Sequence, residues 1–556
     1  MAKSKKIRII PLGGISEIGK NLTVVEFSDS ILIIDCGIGF PREDMLGVDL
    51  VMPDVTYLVN NKEKIRGIVL THGHEDHIGG LPYFLKQINV PVYGTRLTLG
   101  IVGEKLAEHK LDKVAQLICV KAGDRIDIGP FNVEFINVNH SIADAVALCI
   151  RTPGGVLVHS GDFKIDSTPI DGEMTDLTRF GEIGREGVAL FMCESTNVER
   201  PGFTPSERTV GESLDGFFVK YPEKRIIITT FSSNVHRVQQ IINSAEQHKR
   251  KVAITGRSMI NIVNAATELG YMKIPEGILV DVAEISKYPP SKTVIISTGS
   301  QGEPMSALYR MTFNLHDKIG LGPDDLVIIS ASAIPGNEKS VGDVINELFR
   351  KGVRVVNEDI ADVHVSGHAC AGEIKILHAL LKPKFFMPVH GEYRHLAAHK
   401  ELAEYMGMEP SRIFVSEIGK VLEIDGNSAK FNGTVQSGCV LVDGYGIGDV
   451  GSVVLRDRKR LSEDGIVIVS ASVALYEGLV LTGPEIATRG FVYAKEADEL
   501  MNGAKTVCAN ALFEALDRGG GDITLVRTRV KDELAKYISQ KTKRKPIVLP
   551  MITEAE

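Results

Sequence analysis

No apolar run in this 556-residue chain reaches the roughly 20 residues that a membrane-spanning helix needs. No two cysteines form a CxxC pair. The seven of them, Cys36, Cys119, Cys149, Cys193, Cys370, Cys439 and Cys508, are scattered and odd in number. A disulfide framework or a cysteine-built zinc site needs paired spacing, so buried free thiols are expected. Positive charge is not in excess either: 63 Lys and Arg against 71 Asp and Glu leave a net charge of −8. Proteins that coat nucleic acid through bulk charge are basic. A nucleic-acid substrate here would need basic groups and metal ions gathered in a channel. Internal repeats and long low-complexity tracts are also missing. The first residues, Met1-Ala2-Lys3-Ser4-Lys5-Lys6, are basic but lead into a strand pattern rather than a signal-peptide apolar region. The cytoplasm, with no membrane association, is the expected location.

What is present is a 44% hydrophobic chain in which strand and helix patterns alternate, as in a soluble globular protein of about three or four domains. Its densest chemistry is Thr71-His72-Gly73-His74-Glu75-Asp76-His77, directly after the apolar run Ile68-Val69-Leu70. That run reads as a buried strand, and α/β sheets place ligands at the carboxyl ends of strands. In loop conformation His72 and His74 can aim at one point while Asp76 and His77 aim at another. Imidazole with carboxylate is a ligand set for zinc, manganese or iron, and a polar surface turn rarely holds such a density of ligands.

Further strands end in similar residues. The run 31–34 ends at Asp35, suited either to capping the next turn or to holding a histidine ligand from behind. The run 131–138 leads to His140, 156–159 leads to Ser160-Gly161-Asp162, and 188–193 leads to Glu194. With the first cluster, His140 and Asp162 complete a two-metal set, Asp162 being the natural bridge because a carboxylate has two oxygens to share. Thr204-Pro205-Ser206-Glu207 reads as a capping box with Thr204 as the cap. From there to about residue 356, strands and helices alternate as in an open parallel sheet covered on both faces. The first pattern returns at 384–389, ending in His390. Residues 209–360 are therefore expected to be a domain inserted between 1–208 and 361–448. A linker over 449–464, holding the charged run Arg456-Asp457-Arg458-Lys459-Arg460, leads to a tail over 465–556. The tail reads strand, helix, helix, strand, its first helix stopping at Gly519-Gly520-Gly521.

Asp35, the HxHxDH of residues 72–77, His140, Asp162 and His390 together resemble the metallo-β-lactamase superfamily. Glu194, His368 and His390 around an insertion look like its β-CASP branch, and the whole chain resembles the bacterial ribonuclease J family. That likeness runs through Leu12-Gly13-Gly14-Ile15-Ser16-Glu17-Ile18-Gly19-Lys20-Asn21, Thr298-Gly299-Ser300-Gln301-Gly302-Glu303-Pro304-Met305, Pro388-Val389-His390-Gly391-Glu392-Tyr393-Arg394 and Arg489-Gly490-Phe491-Val492-Tyr493. The fold implied is α/β: an αβ/βα sandwich, an inserted parallel α/β β-CASP domain and a small α/β C-terminal domain. Glu194 is a variation, since some relatives carry aspartate there.

The resemblance implies two zinc ions, with manganese or magnesium as substitutes. His72, His74 and His140 would hold one, Asp76, His77 and His390 the other, with Asp162 bridging and Asp35 behind. A hydroxide held between two metals would attack the scissile phosphorus. His368, oriented by Glu194, would serve as proton donor or phosphate ligand, although Gly367-His368 also suits a helix-cap turn. Ser232, Ser233 and Asn234 precede a helix and suit either capping or an anion. With His364, Val365, Ser366, Gly367 and His368 they would hold a 5′ phosphate. Gly47, Asp49 and Asp443 are candidates for a structural calcium ion, or are ordinary surface residues. The activity implied is 5′-to-3′ exonuclease, preferring 5′ monophosphate, together with endonuclease, in rRNA maturation and mRNA decay. RNA, a second or fourth copy of the chain, an RNA-decay helicase and the ribosome are the partners implied. A small-molecule hydrolase of this fold would leave 209–360 without a task at the substrate. An RNA-binding scaffold would have no use for a ligand set with room for hydroxide.

Overall fold

The computed structural model describes residues 6–334, 336–444, 446–492, 497–518 and 522–555. The basic residues 1–5, Tyr493 of the tail motif and the expected glycine stop at 519–521 lie outside the described residues.

One compact unit comprises Met1–Phe40 and Val51–Val440. Its first half is two sheets, one of eight strands and one of six. Their strands change burial partner with every residue. Ile9, Val25 and Leu32 meet Phe135, Leu148, Met192 and Met387 between the sheets. Their neighbours Ile10, Val24 and Ile33 turn to the opposite face, packing with Leu81 and Phe84. Phe180 and Leu377, on the helices Leu177–Glu186 and Ala371–Leu381, cover the outer face of the six-stranded sheet. Helix, sheet, sheet, helix is the expected αβ/βα layering. It explains why these strands read as unbroken apolar runs: both faces are buried.

Gly155–His159, Leu190–Glu194 and Phe385–Val389 run parallel in the six-stranded sheet. Phe131–Asn137 is two antiparallel steps from Gly155–His159 and so points the same way. In the eight-stranded sheet Ser30–Ile34 and Ile65–Val69 are parallel. Asp35, the 72–77 run, His140, Asp162 and His390 thus follow the carboxyl ends of strands, and the sheets deliver those ends to one edge.

The insert is an all-parallel sheet of five strands in the order Lys251–Thr255, Thr293–Ser297, Arg225–Thr229, Asp325–Ile329, Arg354–Val356. Ile226 and Ile228 face the helices Glu207–Lys220 and Val235–Gln247 on one side. Ile227 faces Leu308, Val344 and Leu348 on the other. The open sheet covered on both faces is as expected. The cap of Glu207–Lys220 is not: it is Ser206, whose hydroxyl accepts from the Arg208 amide, not Thr204. Thr204 instead donates its hydroxyl to the His368 carbonyl at 2.7 Å, and its amide bonds Glu373. The capping-box pattern fits only the Thr204 register, since Thr209 stands three residues after Ser206, but the long-range partners of Thr204 and its amide overrode it.

A second unit comprises Pro41–Leu50 and Leu441–Glu556. Its sheet has Ile466–Ala474 in the centre, with Leu479–Arg489 antiparallel and Ile547–Glu554 parallel to it. Val467, Val469 and Val473 pack beneath Leu512, Val530 and Leu534 of the helices Asp498–Arg518 and Ile523–Thr542. The expected strand-helix-helix-strand order was one strand short. Leu479–Arg489 is mostly exposed, so it carries little of the apolar alternation that marks a strand. The charged run at 456–460 lies within a helix, Ser452–Asp464.

Candidate metal centre

The loop after Ile65–Val69 is held from behind. Cys36 donates its amide to the His77 carbonyl and Asn21 donates its amide to the Asp76 carbonyl, at 2.8 and 2.9 Å. Gly37 lies so close beneath this turn that a Cβ there would stand 1.6 Å from the Asp76 carbonyl oxygen. Residues Glu75–Ile78 form one helical turn after His74. That turn separates the two ligand pairs as expected.

Two clusters result, with ligand atoms within 4.8 Å of one another: His72, His74 and His140, and Asp76, His77, Asp162 and His390. His74 Nδ1 lies 3.1 Å from Nε2 of both His72 and His140. Asp162 Oδ2 lies between the groups, 3.3 Å from His77 Nε2, 3.6 Å from His390 Nε2, 3.7 Å from His72 Nε2 and 3.9 Å from His140 Nε2. His390 Nε2 is 3.1 Å from Asp76 Oδ2. Nitrogens bound at about 2.0–2.1 Å on a tetrahedral ion stand about 3.3 Å apart, so both clusters fit a zinc-sized divalent cation.

The far nitrogens of the rings are occupied. His77 Nδ1 donates to Asp35 Oδ2 at 2.7 Å, and His140 Nδ1 donates to the Gly367 carbonyl at 2.8 Å. His390 Nδ1 meets the Thr196 hydroxyl at 2.8 Å and His72 Nδ1 the Thr71 hydroxyl at 3.0 Å. Such partners select the tautomer that turns an unprotonated Nε2 to a metal. Asp35 also accepts the Thr71 amide and hydroxyl, both at 2.8 Å. It stands behind a ligand rather than capping the turn at residues 36–37.

Burial and neighbouring imidazoles push the pKa of His72 and His140 well down, and His74 to about 4. These three are neutral at pH 7, as metal ligands need to be. Burial also opposes charge on His77, but Asp162, Asp76 and Asp35 outweigh it and hold its pKa well above the usual value. His390 is raised against burial by Asp162 and Asp76. Despite burial, both carboxylates are held below the usual range, Asp76 by His77 and His390, Asp162 by His390 and His77. A bound cation would take the place of those protons.

His368 Nδ1 donates to Glu194 Oε2 at 2.8 Å, while Glu194 Oε1 accepts the Phe163 amide at 2.9 Å. Burial opposes the charge, but Glu194 and Asp162 raise His368 to about 9. The half-buried His368 ring stands 3.8 Å from Asp162 Oδ2, and the helix that follows is capped by Cys370 rather than by Gly367-His368. Asn197 donates to the Ser366 hydroxyl at 2.8 Å and to the His368 carbonyl at 3.1 Å. The His368 amide also donates to the Ser366 hydroxyl, at 3.2 Å. With both lone pairs taken, that hydroxyl can only donate. Asn234 caps Val235–Gln247 by accepting the Arg237 amide. Ser232 and Ser233 are half-buried beside it.

Sequence reasoning missed Thr196, Asn197, Thr204 and His159. The first three act on residues that lie 164 to 194 positions away. His159, lowered by burial to about 4, accepts the Gly161 amide at 3.0 Å and shapes the turn that presents Asp162. Its signal was available, since it ends an apolar strand two residues before that turn's last member.

The calcium candidates are engaged otherwise. Asp443 pairs with Arg458, and Asp49 accepts the Gly444 amide at 2.7 Å. A Cβ on Gly47 would stand 2.7 Å from the Arg458 guanidinium. The Arg458 guanidinium thus stands against two of the three candidates.

Comparison with known proteins follows the same architecture. Residues 17–173 match the metallo-β-lactamase superfamily, and residues 223–348 match the β-CASP domain of ribonuclease J. Residues 352–415 match the Zn-dependent metallo-hydrolase RNA specificity domain, and residues 453–555 the ribonuclease J C-terminal domain. The chain is 41% identical to Ribonuclease J 1 of Streptococcus pyogenes over 550 residues, covering 99% of this chain and 98% of that one. It is 42% identical to Ribonuclease J of Thermus thermophilus over 555 residues, covering 99% and 95%. Among solved structures, a protein of unknown function from Enterococcus faecalis V583 shares the fold, with a TM-score of 0.54 and 18% identity, covering 75% of this chain and 99% of that one. With near-complete coverage at this identity, and with matches to its β-CASP and C-terminal domains, the chain belongs to the ribonuclease J family.

Proposed function

We propose that this metal-dependent ribonuclease trims RNA from a 5′-monophosphorylated end in the 5′-to-3′ direction and also cuts internally, in rRNA maturation and mRNA decay. The observation that carries the reading is a charged His368–Glu194 pair beside seven converging ligands, next to a loop of hydrogen-bond donors. His72, His74 and His140 would hold one zinc ion and Asp76, His77 and His390 a second, with Asp162 shared. When bound, such cations bring the pKa of water toward about 7 and draw charge from a phosphoryl oxygen. His368, bonded to Glu194 through Nδ1, keeps its other proton on Nε2. It hands that proton to the departing 3′ oxygen, leaving a 3′ hydroxyl and a 5′ phosphate. The Ser366 hydroxyl, able only to donate, together with Ser232, Ser233 and His364, would receive the terminal phosphate.

The test is cleavage of matched RNAs bearing 5′ monophosphate, triphosphate or hydroxyl ends, by the wild type and by His74→Ala and Asp162→Ala. Monophosphate preference and loss of cleavage in both variants are expected. Undiminished cleavage by a pure, metal-free variant refutes the site.

Self-association fits the second unit. Leu549 and Met551, 45% and 56% exposed, lie in register with Ile468 and Ser470 on the sheet face away from its helices. A dimer or tetramer joined there would cover them, and sedimentation of a chain ending near residue 450 tests it. A cytoplasmic location suits an RNA substrate and seven free cysteines. A structural calcium ion would have to displace Arg458 from Asp443, and a calcium titration of thermal stability decides whether it does.

A further inference from the structure

Arg237 is the largest fully buried side chain among the described residues, with no exposed surface. It has no part in the chemistry above. Three other segments meet on its guanidinium. Nε and Nη2 donate to the two oxygens of Glu207, each at 2.8 Å, at the start of Glu207–Lys220. Nη1 donates to the Ser330 carbonyl at 2.8 Å, just past the strand Asp325–Ile329. Nη1 also meets His364 Nδ1 at 2.9 Å, and Nη2 reaches the Val365 carbonyl at 3.5 Å. Arg237 itself lies on the helix that follows Ser232-Ser233-Asn234. One side chain therefore ties both halves of the candidate phosphate pocket together.

A guanidinium has donors and no acceptor, and it stays protonated in proteins. An imidazole nitrogen that accepts from it cannot carry a proton. The ring proton of His364 must then sit on Nε2. We propose that Arg237 is a positioning residue that fixes His364 as an uncharged imidazole with its N–H at Nε2, offered to the 5′ phosphate. The proposal rests on the pocket assigned above. It makes the pocket select by donor geometry rather than by a histidine charge. The groups facing His364 agree: Arg237, Arg200 and Lys164 are all cations, and with burial they lower its pKa to about 3. The Glu207 carboxylate that balances Arg237 is spent on its far side.

The direct measurement is the 15N and 13C resonances of His364 in the zinc-loaded wild type, assigned by their loss in His364→Gln. They are expected to report the Nε2–H tautomer with no titration between pH 5.5 and 8. Replacing Arg237 and Glu207 together by methionine removes the buried pair without leaving one charge unpaired. In that variant the Nδ1–H tautomer of His364 should become populated and its pKa should rise, although burial, Arg200 and Lys164 still hold it below the ordinary value.

The functional measurement is the variant-to-wild-type ratio of KM for 5′-monophosphorylated RNA, in which the phosphate's own titration near pH 6 cancels. It should stand about tenfold above unity at pH 8, for loss of one positioned donor to a charged group. It should stay above unity at lower pH too, because burial, Arg200 and Lys164 still disfavour the imidazolium. The same ratio for 5′-hydroxyl RNA should stay flat. A wild-type His364 that titrates near 6.5 or carries its proton on Nδ1, or a ratio near unity at pH 8 for phosphorylated RNA, overturns the role of Arg237 and leaves the pocket standing. A wild-type enzyme indifferent to the 5′ end overturns the pocket, and the proposal with it. The wild-type resonances decide the tautomer even if the double variant fails to fold.

Discussion

Replacing Asp35 by asparagine should weaken zinc binding without disturbing the fold around it. The carboxylate is buried and accepts three hydrogen bonds, from the Thr71 amide and hydroxyl and from His77 Nδ1. Asparagine keeps the volume, and it tolerates the left-handed φ of 59° at this position. It also keeps an oxygen for the Thr71 amide. Its NH2, however, must face His77 Nδ1, which then accepts instead of donating. The ring proton moves to Nε2, the nitrogen 3.3 Å from Asp162 Oδ2, where the cation should bind. A hydrogen bond to a charged group contributes about 1.5–3 kcal/mol. At about 1.4 kcal/mol per tenfold change, its loss predicts zinc binding roughly ten- to a hundredfold weaker. Competition between the apoprotein and a chromogenic chelator measures this directly. RNA cleavage should recover in part at saturating zinc. Zinc affinity within about twofold of wild type would refute the claim that Asp35 sets the tautomer of His77.

Gly37→Ala should cost still more metal affinity than Asp35→Asn, because its methyl would meet the Asp76 carbonyl at 1.6 Å and the loop must shift; zinc stoichiometry after gel filtration reads it. Glu194→Gln keeps an acceptor for the Phe163 amide but presents an NH2 to His368 Nδ1, so the ring keeps a proton on Nε2 but loses the one on Nδ1, and with it the charge that makes it a good proton donor. Its kcat should fall by about 10²–10⁴ with KM little changed, as measured at saturating RNA and zinc. His378→Phe should flatten the acid limb of stability. His378 is buried among Phe191, Phe386 and His399, and burial lowers its pKa to about 4. A depressed histidine contributes stability that is fully present above about pH 6.5 and is lost as pH falls toward 4, since the unfolded chain takes up the proton first. Between pH 7 and 5 the variant should lose about 2 kcal/mol less than wild type in urea unfolding. Equal losses would mean that His378 takes up its proton without unfolding.

The ligand chemistry of residues 72–77 was legible because three histidines and an aspartate lie within six residues, and a loop that short leaves few ways to aim them. The parallel insert was legible because the helix period and the strand period alternate at regular spacing. The free cysteines were legible from spacing alone, although Cys119 and Cys439 are exposed rather than buried. The strand Leu479–Arg489 was not legible, because its mostly exposed side chains have no reason to alternate.

The amino-acid order alone determined the layers, the strand ends that carry ligands and the chemistry of the ligand set. These depend on periodicity, local stereochemistry and side-chain type, all carried within a few residues of each position. The tertiary structure alone decided whom each polar group serves. Thr204 left the cap it could have formed and took the His368 carbonyl. Glu207 left the capping box and took Arg237, thirty positions away. Asp443 took Arg458 in place of a free cation. A buried polar group must find a partner, and folding brings candidates from distant parts of the chain within reach at once. Which of them arrives in geometry is a property of the packed sheets, not of the neighbours in sequence.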